Sequence, residues 1–158
     1  IKKVKMGKFD GIILAEAGLE RMGLENQIAE RFSLDQFTPA AGQGALAIVV
    51  REDNENVARL LRPIHHPLTE AEVIAERSLV FSLEGGCRVP IGAIARAYNK
   101  TLSLYGCIYS LDGRKKIYSF AKGNIDEAQD LGKKVAQSLI DQGAKDFEAE
   151  WREKYGAW

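Results

Sequence analysis

The chain has 158 residues, of which 46% are hydrophobic and 28% charged, and 22 basic side chains balance 22 acidic ones. This composition is typical of a globular protein of one domain or two small ones and excludes a disordered chain. The balanced charge and the lack of a long apolar stretch argue against nucleic-acid and membrane partners. Two cysteines are too few for a disulfide scaffold, so we expect a reducing, cytoplasmic setting.

The first third of the chain predicts strand and helix in alternation. Residues 9–15 (FDGIILA) form an apolar run typical of a strand buried on both faces. Residues 16–32 have the apolar spacing of a helix, broken near Gly23, and residues 33–44 carry the breakers of a loop. Residues 46–51 (LAIVVR) predict a second strand. These segments are typical of part of an α/β region.

Two helices are predicted next. Asp53 or Asn54 is a suitable cap for a helix over residues 55–64. The capping-box spacing of residues 69–72 (TEAE) predicts the start of another helix that runs to about Leu83. Its buried face is expected to carry Ala71, Ala75, Leu79 and Leu83.

The rest of the chain predicts an antiparallel meander and two helices. The strands are expected at residues 91–98, 102–110 and 115–122, with turn sequences NK and DG between them. A long amphipathic helix is predicted over residues 125–142, with Gly143 as its C-cap, and a short one over 145–154. The predicted class is α+β: a three-stranded antiparallel sheet backed by helices, preceded by strand–helix segments of an incomplete α/β region.

One loop carries a candidate functional cysteine. Two glycines precede Cys87 in residues 84–92 (EGGCRVPIG), and glycine lets a backbone approach a ligand closely. Arg88 favours a thiolate at its neighbour. The alternative is a plain helix cap and turn around a buried, apolar cysteine, and the residues alone leave both open. Cys107 alternates within a strand and is predicted to be core.

Three motifs carry a family resemblance. Residues 76–92 (ERSLVFSLEGGCRVPIG) are similar to the cofactor-attachment signature of porphobilinogen deaminases, also called hydroxymethylbilane synthases. Residues 12–23 (IILAEAGLERMG) resemble the family's strand-to-helix segment in its second domain, and residues 41–46 (AGQGAL) resemble its glycine-rich return segment. The motifs follow the family's order over nearly the whole chain.

The resemblance implies a transferase of tetrapyrrole and heme biosynthesis. Such an enzyme joins four porphobilinogen molecules head to tail into hydroxymethylbilane and releases ammonia at each addition. The linear pyrrole intermediates grow on a dipyrromethane primer, which the resemblance attaches by a thioether to Cys87. This cysteine would then be an anchor that persists across cycles rather than a turnover nucleophile.

The resemblance also implies a set of cofactor-binding residues: Cys87, Ala15, Gly18, Arg21, Gln43 and Gly44. The cofactor and substrate carry carboxylates, which arginine forks and backbone N–H groups bind well. Each of the last five residues has a structural alternative. Arg21 is also typical of a solvated helix surface, and Ala15 and Gly18 are typical of positions where elements pack closely. Gln43 and Gly44 are equally typical of a plain turn.

The resemblance divides the chain into three parts. Residues 1–34 would end the family's second domain, residues 35–64 would cross back to its first, and residues 65–158 would form the cofactor-anchoring domain. The family's catalytic aspartate and most of its substrate-binding arginines have no counterpart here, so no catalytic residue is assigned. We expect the isolated chain to need the missing N-terminal half of the enzyme, to be inactive and without cofactor, and to self-associate through exposed sheet edges.

Two other functions remain open from the residues. One is a non-enzymatic or redox thiol domain, and the other is a small-anion binding module that uses the glycine-rich loops. A metal site is not expected, because the adjacent His65 and His66 point in different directions on a helix and lack a third ligand at suitable spacing.

Overall fold

The computed structural model describes residues 1–34, 36–83 and 89–156, and the chain divides into two compact units, Ile1–Ser33 and Leu34–Trp158. The predicted α+β class is confirmed. The helices and one antiparallel sheet of the second unit form the main hydrophobic core.

The first unit contains short helical segments. These are α1 (Lys2–Lys5), α2 (Glu16–Arg21) and a 3₁₀ turn (Glu25–Gln27). The break predicted near Gly23 is confirmed, since this residue adopts a φ of 63° and the Leu24 N–H donates to Leu19 O at 2.9 Å, which closes the end of α2. The predicted continuation to residue 32 is wrong, because the chain has no regular secondary structure after the 3₁₀ turn.

The strand predicted at residues 9–15 is wrong. This segment has no regular secondary structure, and its apolar side chains Phe9, Ile12, Ile13 and Leu14 are exposed. A strand buried on both faces needs neighbouring strands for its backbone hydrogen bonds, and the first unit contains no other strand. The apolar run therefore stays uncovered within its own unit.

The strand predicted at residues 46–51 is also wrong. Leu46 and Val49 are 90% and 91% exposed, and no described strand pairs with the segment. The loop predicted before it, over residues 33–44, is confirmed for its described residues.

The next helix, α3 (Glu55–Leu61), begins where the sequence predicted. Asn54 is its cap, and the side-chain Oδ1 of Asn54 accepts a hydrogen bond from the Val57 N–H at 3.2 Å. A 3₁₀ turn (Arg62–Ile64) continues the helix to the predicted end.

Helix α4 (Pro67–Ser82) begins before its predicted start. The capping-box prediction is wrong, because the cap is His66, whose Nδ1 accepts from the Thr69 N–H at 3.3 Å. Pro67 at the first helical position suits this earlier start, since its fixed φ is helical. The predicted apolar residues Ala71, Ala75, Leu79 and Leu83 are all buried, and Glu76 is buried beside them.

The sheet has the order β1–β2–β3 with antiparallel pairing throughout. Its strands are β1 (Ile91–Tyr98), β2 (Thr101–Tyr109) and β3 (Lys116–Asn124), each within one or two residues of the predicted bounds. The β1–β2 register runs from Ile91 opposite Ile108 to Tyr98 opposite Thr101. Asn99 turns the hairpin with a φ of 54°, a left-handed conformation that asparagine tolerates.

Helices α5 (Ala128–Asp141) and α6 (Ala144–Tyr155) complete the second unit. The predicted C-cap Gly143 adopts a φ of 100° between them. Helices α4 and α5 pack together on one face of the sheet. The largest fully buried side chains of this core are Leu79, Leu83, Leu102, Leu104, Ile108, Leu139, Val135 and Cys107.

Candidate functional site

The candidate cysteine lies outside the described residues, as do all of residues 84–88. The described residues on either side are firmly held. Leu83, after the last turn of α4, and Val89 are buried in the core, and the Tyr109 N–H donates to Pro90 O at 3.3 Å. The segment that contains Cys87 is thus anchored at both ends on α4 and the sheet, while the predictions for Cys87 and Arg88 themselves stay untested.

The glycine-rich return segment forms a turn at residues 41–44. Gly42 and Gly44 adopt φ angles of 72° and 90°, in the left-handed region that glycine occupies without strain. Gln43 lies between them with its side chain exposed, and its Oε1 accepts from the Ala40 N–H at 3.3 Å. We call residues 41–44 the glycine turn.

A buried carboxylate holds the glycine turn in place. Glu76, on α4, is only 8% exposed. Its Oε2 accepts from the Gly42 N–H and its Oε1 from the Ala95 N–H, both at 2.7 Å. The two oxygens therefore connect α4 to the glycine turn on one side and to β1 on the other.

The same carboxylate belongs to a row of acceptors along β1, the first edge strand of the sheet. Three N–H groups of β1 that face away from β2 are all hydrogen bonded. They belong to Ala93, Ala95 and Ala97, and their acceptors are Pro39 O at 2.9 Å, Glu76 Oε1 at 2.7 Å and Glu72 Oε1 at 2.8 Å. This edge is closed to pairing with another strand, so the self-association expected through exposed sheet edges is wrong for β1.

A close contact further fixes the segment before the glycine turn. A Cβ on Gly92 would lie 2.7 Å from Thr38 Cβ and 3.0 Å from Cys107 Sγ, so only glycine permits this approach. The Thr38 hydroxyl is buried without a hydrogen-bond partner in the described part of the chain. Cys107 is fully buried, which confirms its prediction as a core residue.

Burial raises the pKa of Glu76 above its ordinary value of 4.5. The negative charge of Glu72 acts in the same direction, while the hydrogen bonds from the Ala95 and Gly42 N–H groups and the charge of Arg96 lower this pKa. Burial outweighs them because a carboxylate loses most of its hydration in this position.

We expect the free energy of unfolding to decrease as the pH rises through the pKa of Glu76. A carboxyl group whose pKa is raised on folding binds its proton more tightly in the folded state. The stabilisation of the folded state by this proton is therefore complete below about pH 4.5 and is lost above the folded-state pKa. Urea unfolding across this pH range should show that the free energy of unfolding falls more steeply with pH in the unaltered chain than in Glu76→Gln. Equal pH slopes in the two proteins would contradict the expectation.

The first unit places three predicted cofactor-binding residues on or next to α2. Ala15 is the extended residue before this helix, and its carbonyl accepts from the Gly18 N–H at 3.1 Å. A Cβ on Gly18 would meet nothing within 4 Å, so close packing within the described residues does not require this glycine. Arg21 is exposed in the last turn of α2.

The adjacent histidines have structural partners. His66 caps α4, and His65 Nε2 lies 3.2 Å from Glu70 Oε2. Within residues 1–34, 36–83 and 89–156, no group of three or more histidine, cysteine, aspartate or glutamate side chains is arranged to hold a metal ion. None of the helices described is long and apolar enough to cross a membrane.

Sequence reasoning missed the roles of two carboxylates. Glu72 and Glu76 each directly follow a residue of the buried stripe, Ala71 and Ala75, so they border the apolar face of α4. Their spacing of four residues was a usable signal for two carboxylates on one side of the helix. Their acceptor role was not predictable without knowing which strand edge lies beside α4.

Comparison with known proteins gives one consistent result. Residues 1–59 match the family model described as porphobilinogen deaminase, dipyromethane cofactor binding domain. Residues 70–141 match the model described as porphobilinogen deaminase, C-terminal domain, and Cys87 lies within this range.

Curated relatives agree over most of the chain. It is 45% identical over 145 residues to a porphobilinogen deaminase of Chromobacterium violaceum and 43% identical over 145 residues to one of Syntrophobacter fumaroxidans, covering 92% of this chain and 47% of the relative in both cases. A probable porphobilinogen deaminase of Methanothermobacter thermautotrophicus is 43% identical over 141 residues, which are 89% of this chain and 48% of the relative. The chain spans about half the length of the curated relatives it matches.

Proposed function

Because this chain belongs to the porphobilinogen deaminase family, we propose that it takes part in joining four porphobilinogen molecules head to tail into hydroxymethylbilane, with loss of ammonia at each addition. Its setting would be tetrapyrrole biosynthesis in the cytoplasm. The observation that carries the proposal is that the two family models match in the family's order at residues 1–59 and 70–141, the second of which includes the signature around Cys87.

The proposal includes a dipyrromethane cofactor on Cys87. This group supplies a permanent primer on which the pyrrole chain is built, held by a thioether that hydrolysis does not readily break. The description of the family model over residues 1–59 supports a dipyrromethane-binding role.

The residues that would hold the carboxylates of this cofactor are Arg21, Ala15, Gly18, Gln43 and Gly44. The exposed guanidinium and the open space beside Gly18 support this assignment. So does the glycine turn, because Gly44, exposed and in the left-handed region, brings backbone without a side chain to the surface. Ala15, Arg21, Gln43 and Gly44 are exposed and Gly18 is half-buried, so a charged ligand can reach them.

We also propose the division of the chain that the resemblance implied. Residues 1–34 would belong to the family's second domain, residues 35–64 to the segment that returns to the first, and residues 65–158 to the cofactor-anchoring domain. The catalytic acid and the remaining carboxylate-binding arginines would come from polypeptide that matches the other half of the relatives. The exposed apolar residues of segments 9–15 and 46–51 support the need for such a partner, without which the chain would self-associate.

Removing each cysteine in turn tests the function. The protein produced from the complete gene is compared with Cys87→Ala and with the matched control Cys107→Ala. We expect the intact mass of the unaltered protein and of the control to include a dipyrromethane and an aldehyde-type pyrrole reagent to colour both. Cys87→Ala should show neither the added mass nor hydroxymethylbilane formation. A loaded and active Cys87→Ala protein would overturn the proposal.

No observation favours the two alternative functions, a non-enzymatic or redox thiol domain and a small-anion binding module. In the described residues, the second cysteine is fully buried, which does not suit a redox pair. The Gly42 N–H is already bonded to a carboxylate, which disfavours an inorganic anion at that position of the glycine turn.

A further inference from the structure

The arrangement around Glu76 joins three parts of the chain that the sequence presents as separate motifs. Residue 76 begins the attachment signature, Gly42 lies in the return segment, and Ala95 lies in the strand after the signature. Both carboxylate oxygens of Glu76 are used, one for each backbone donor, at 2.7 Å. In the described part of the chain, no basic side chain bonds to this carboxylate, so its partners are backbone groups alone.

We propose that Glu76 is a positioning residue that holds the glycine turn against the two elements that flank the cofactor-attachment segment. This inference rests on the proposed function. The attachment segment is residues 84–88: helix α4 ends shortly before it at Ser82, and β1 begins shortly after it at Ile91. A carboxylate carried by α4 and bonded to both β1 and the glycine turn therefore fixes these three relative to one another.

Two neighbouring contacts act with Glu76. The Ala93 N–H donates to Pro39 O at 2.9 Å, and Thr38 packs on Gly92 where a Cβ would not fit. These contacts hold the chain before the glycine turn and Ala41 packs against the core, whereas Glu76 supplies the hydrogen bond that holds Gly42. Loss of the carboxylate should therefore release the turn while the preceding residues stay attached.

A carboxylate suits this role better than its amide counterpart. The two N–H donors need two acceptors, and a glutamine offers one oxygen, while its NH₂ group would face an N–H group. Glu76→Gln should consequently keep one of the two hydrogen bonds and lose the other. Its effect on the position of the glycine turn and on kcat/KM should be intermediate between those of the unaltered protein and Glu76→Ala.

Glu72 provides a matched control. It lies one turn earlier on the same helix and accepts from the Ala97 N–H of the same strand at 2.8 Å, but the structure records no bond from it to the glycine turn. Glu72→Ala therefore removes a comparable edge bond without touching the turn. Differences between the Glu76 and Glu72 variants report on the turn rather than on general stability.

The experiment uses the protein from its complete gene and measures three quantities. These are amide exchange at Gly42 and Ala95, the fraction of molecules that carry a dipyrromethane by intact mass, and kcat/KM for porphobilinogen. For Glu76→Ala we expect fast exchange at Gly42, a lower loaded fraction, and a loss of about 10- to 100-fold in kcat/KM, the scale of a small misplacement in a binding site. Glu72→Ala should keep slow Gly42 exchange and near-normal kcat/KM.

The outcomes separate the inference from the function on which it rests. An unaltered protein that neither carries dipyrromethane nor consumes porphobilinogen would overturn the proposed function. An active unaltered protein whose Glu76 and Glu72 variants behave alike would overturn only the positioning role. If Glu76→Ala does not fold, Glu76→Gln decides the question, because unchanged amide exchange at both Gly42 and Ala95 together with unchanged kcat/KM in that variant would also overturn it.

Discussion

Replacing Leu79 with alanine is expected to lower the free energy of unfolding of the second unit by about 2–5 kcal/mol, the usual range for a buried leucine. Leu79 is 0% exposed and lies on the buried face of α4, against the sheet and α5. Whole domains are stable by only about 5–15 kcal/mol, so this change removes a large share. Urea unfolding followed by circular dichroism measures it.

A control and a second substitution sharpen this prediction. Phe81→Ala lies on the same helix at a side chain that is 86% exposed, so we expect a change within about 0.5 kcal/mol. A Cβ on Gly106 would lie 2.4 Å from Leu79 Cδ1, so Gly106→Ala alone should destabilise the protein. In the Leu79→Ala background that clash is gone, and the double variant should be more stable than the sum of the two losses predicts. Strict additivity would contradict the packing described here.

Replacing Gly132 with alanine is expected to destabilise the second unit, although alanine favours a helix over glycine by about 1 kcal/mol. The new Cβ on α5 would lie 2.5 Å from the backbone oxygen of Ala75 and 2.5 Å from Ser78 Cβ, both on α4. A backbone atom cannot rotate away, so the two helices must separate. Overpacking of this kind costs about 1–3 kcal/mol or more, and we expect it to exceed the gain in helix propensity.

The matched control for Gly132 is Gly123, on β3. A Cβ there would meet Leu131 Cδ1 at 3.5 Å, an ordinary contact, so Gly123→Ala should leave the thermal midpoint nearly unchanged. Gly132→Ala should lower the midpoint and disturb the hydrogen bond from the Ser78 hydroxyl to Gln129 O, which is 2.7 Å long and also joins the two helices. A Gly132→Ala protein as stable as the unaltered chain would show that α4 and α5 do not pack this closely.

Local patterns predicted most of the second unit correctly. The meander of β1, β2 and β3 follows from alternating side chains and turn residues, and the helices from their apolar spacing, because these signals lie within a few residues of one another. The predicted strands at residues 9–15 and 46–51 failed because an apolar run shows only that a segment needs cover. Whether it forms a strand depends on a neighbouring strand to pair with, and none of the described strands pairs with either segment.

The candidate site was also predicted only in part from the sequence. The signature around Cys87 and the glycine-rich segments are recognisable in the sequence, since backbone conformation and covalent chemistry restrict which residues can occupy such positions. The sequence by itself therefore determined the family, the order of the helices and strands from residue 53 onward, and the candidate anchor.

Only the tertiary structure decided what Glu76 does. Its two hydrogen bonds reach residues 34 and 19 positions away along the chain, Gly42 and Ala95. A carboxylate at the border of a helix face is compatible with solvent until the packing of α4 beside β1 buries it. Burial then makes unpaired oxygens costly, and the backbone donors of the glycine turn and the strand edge become its partners.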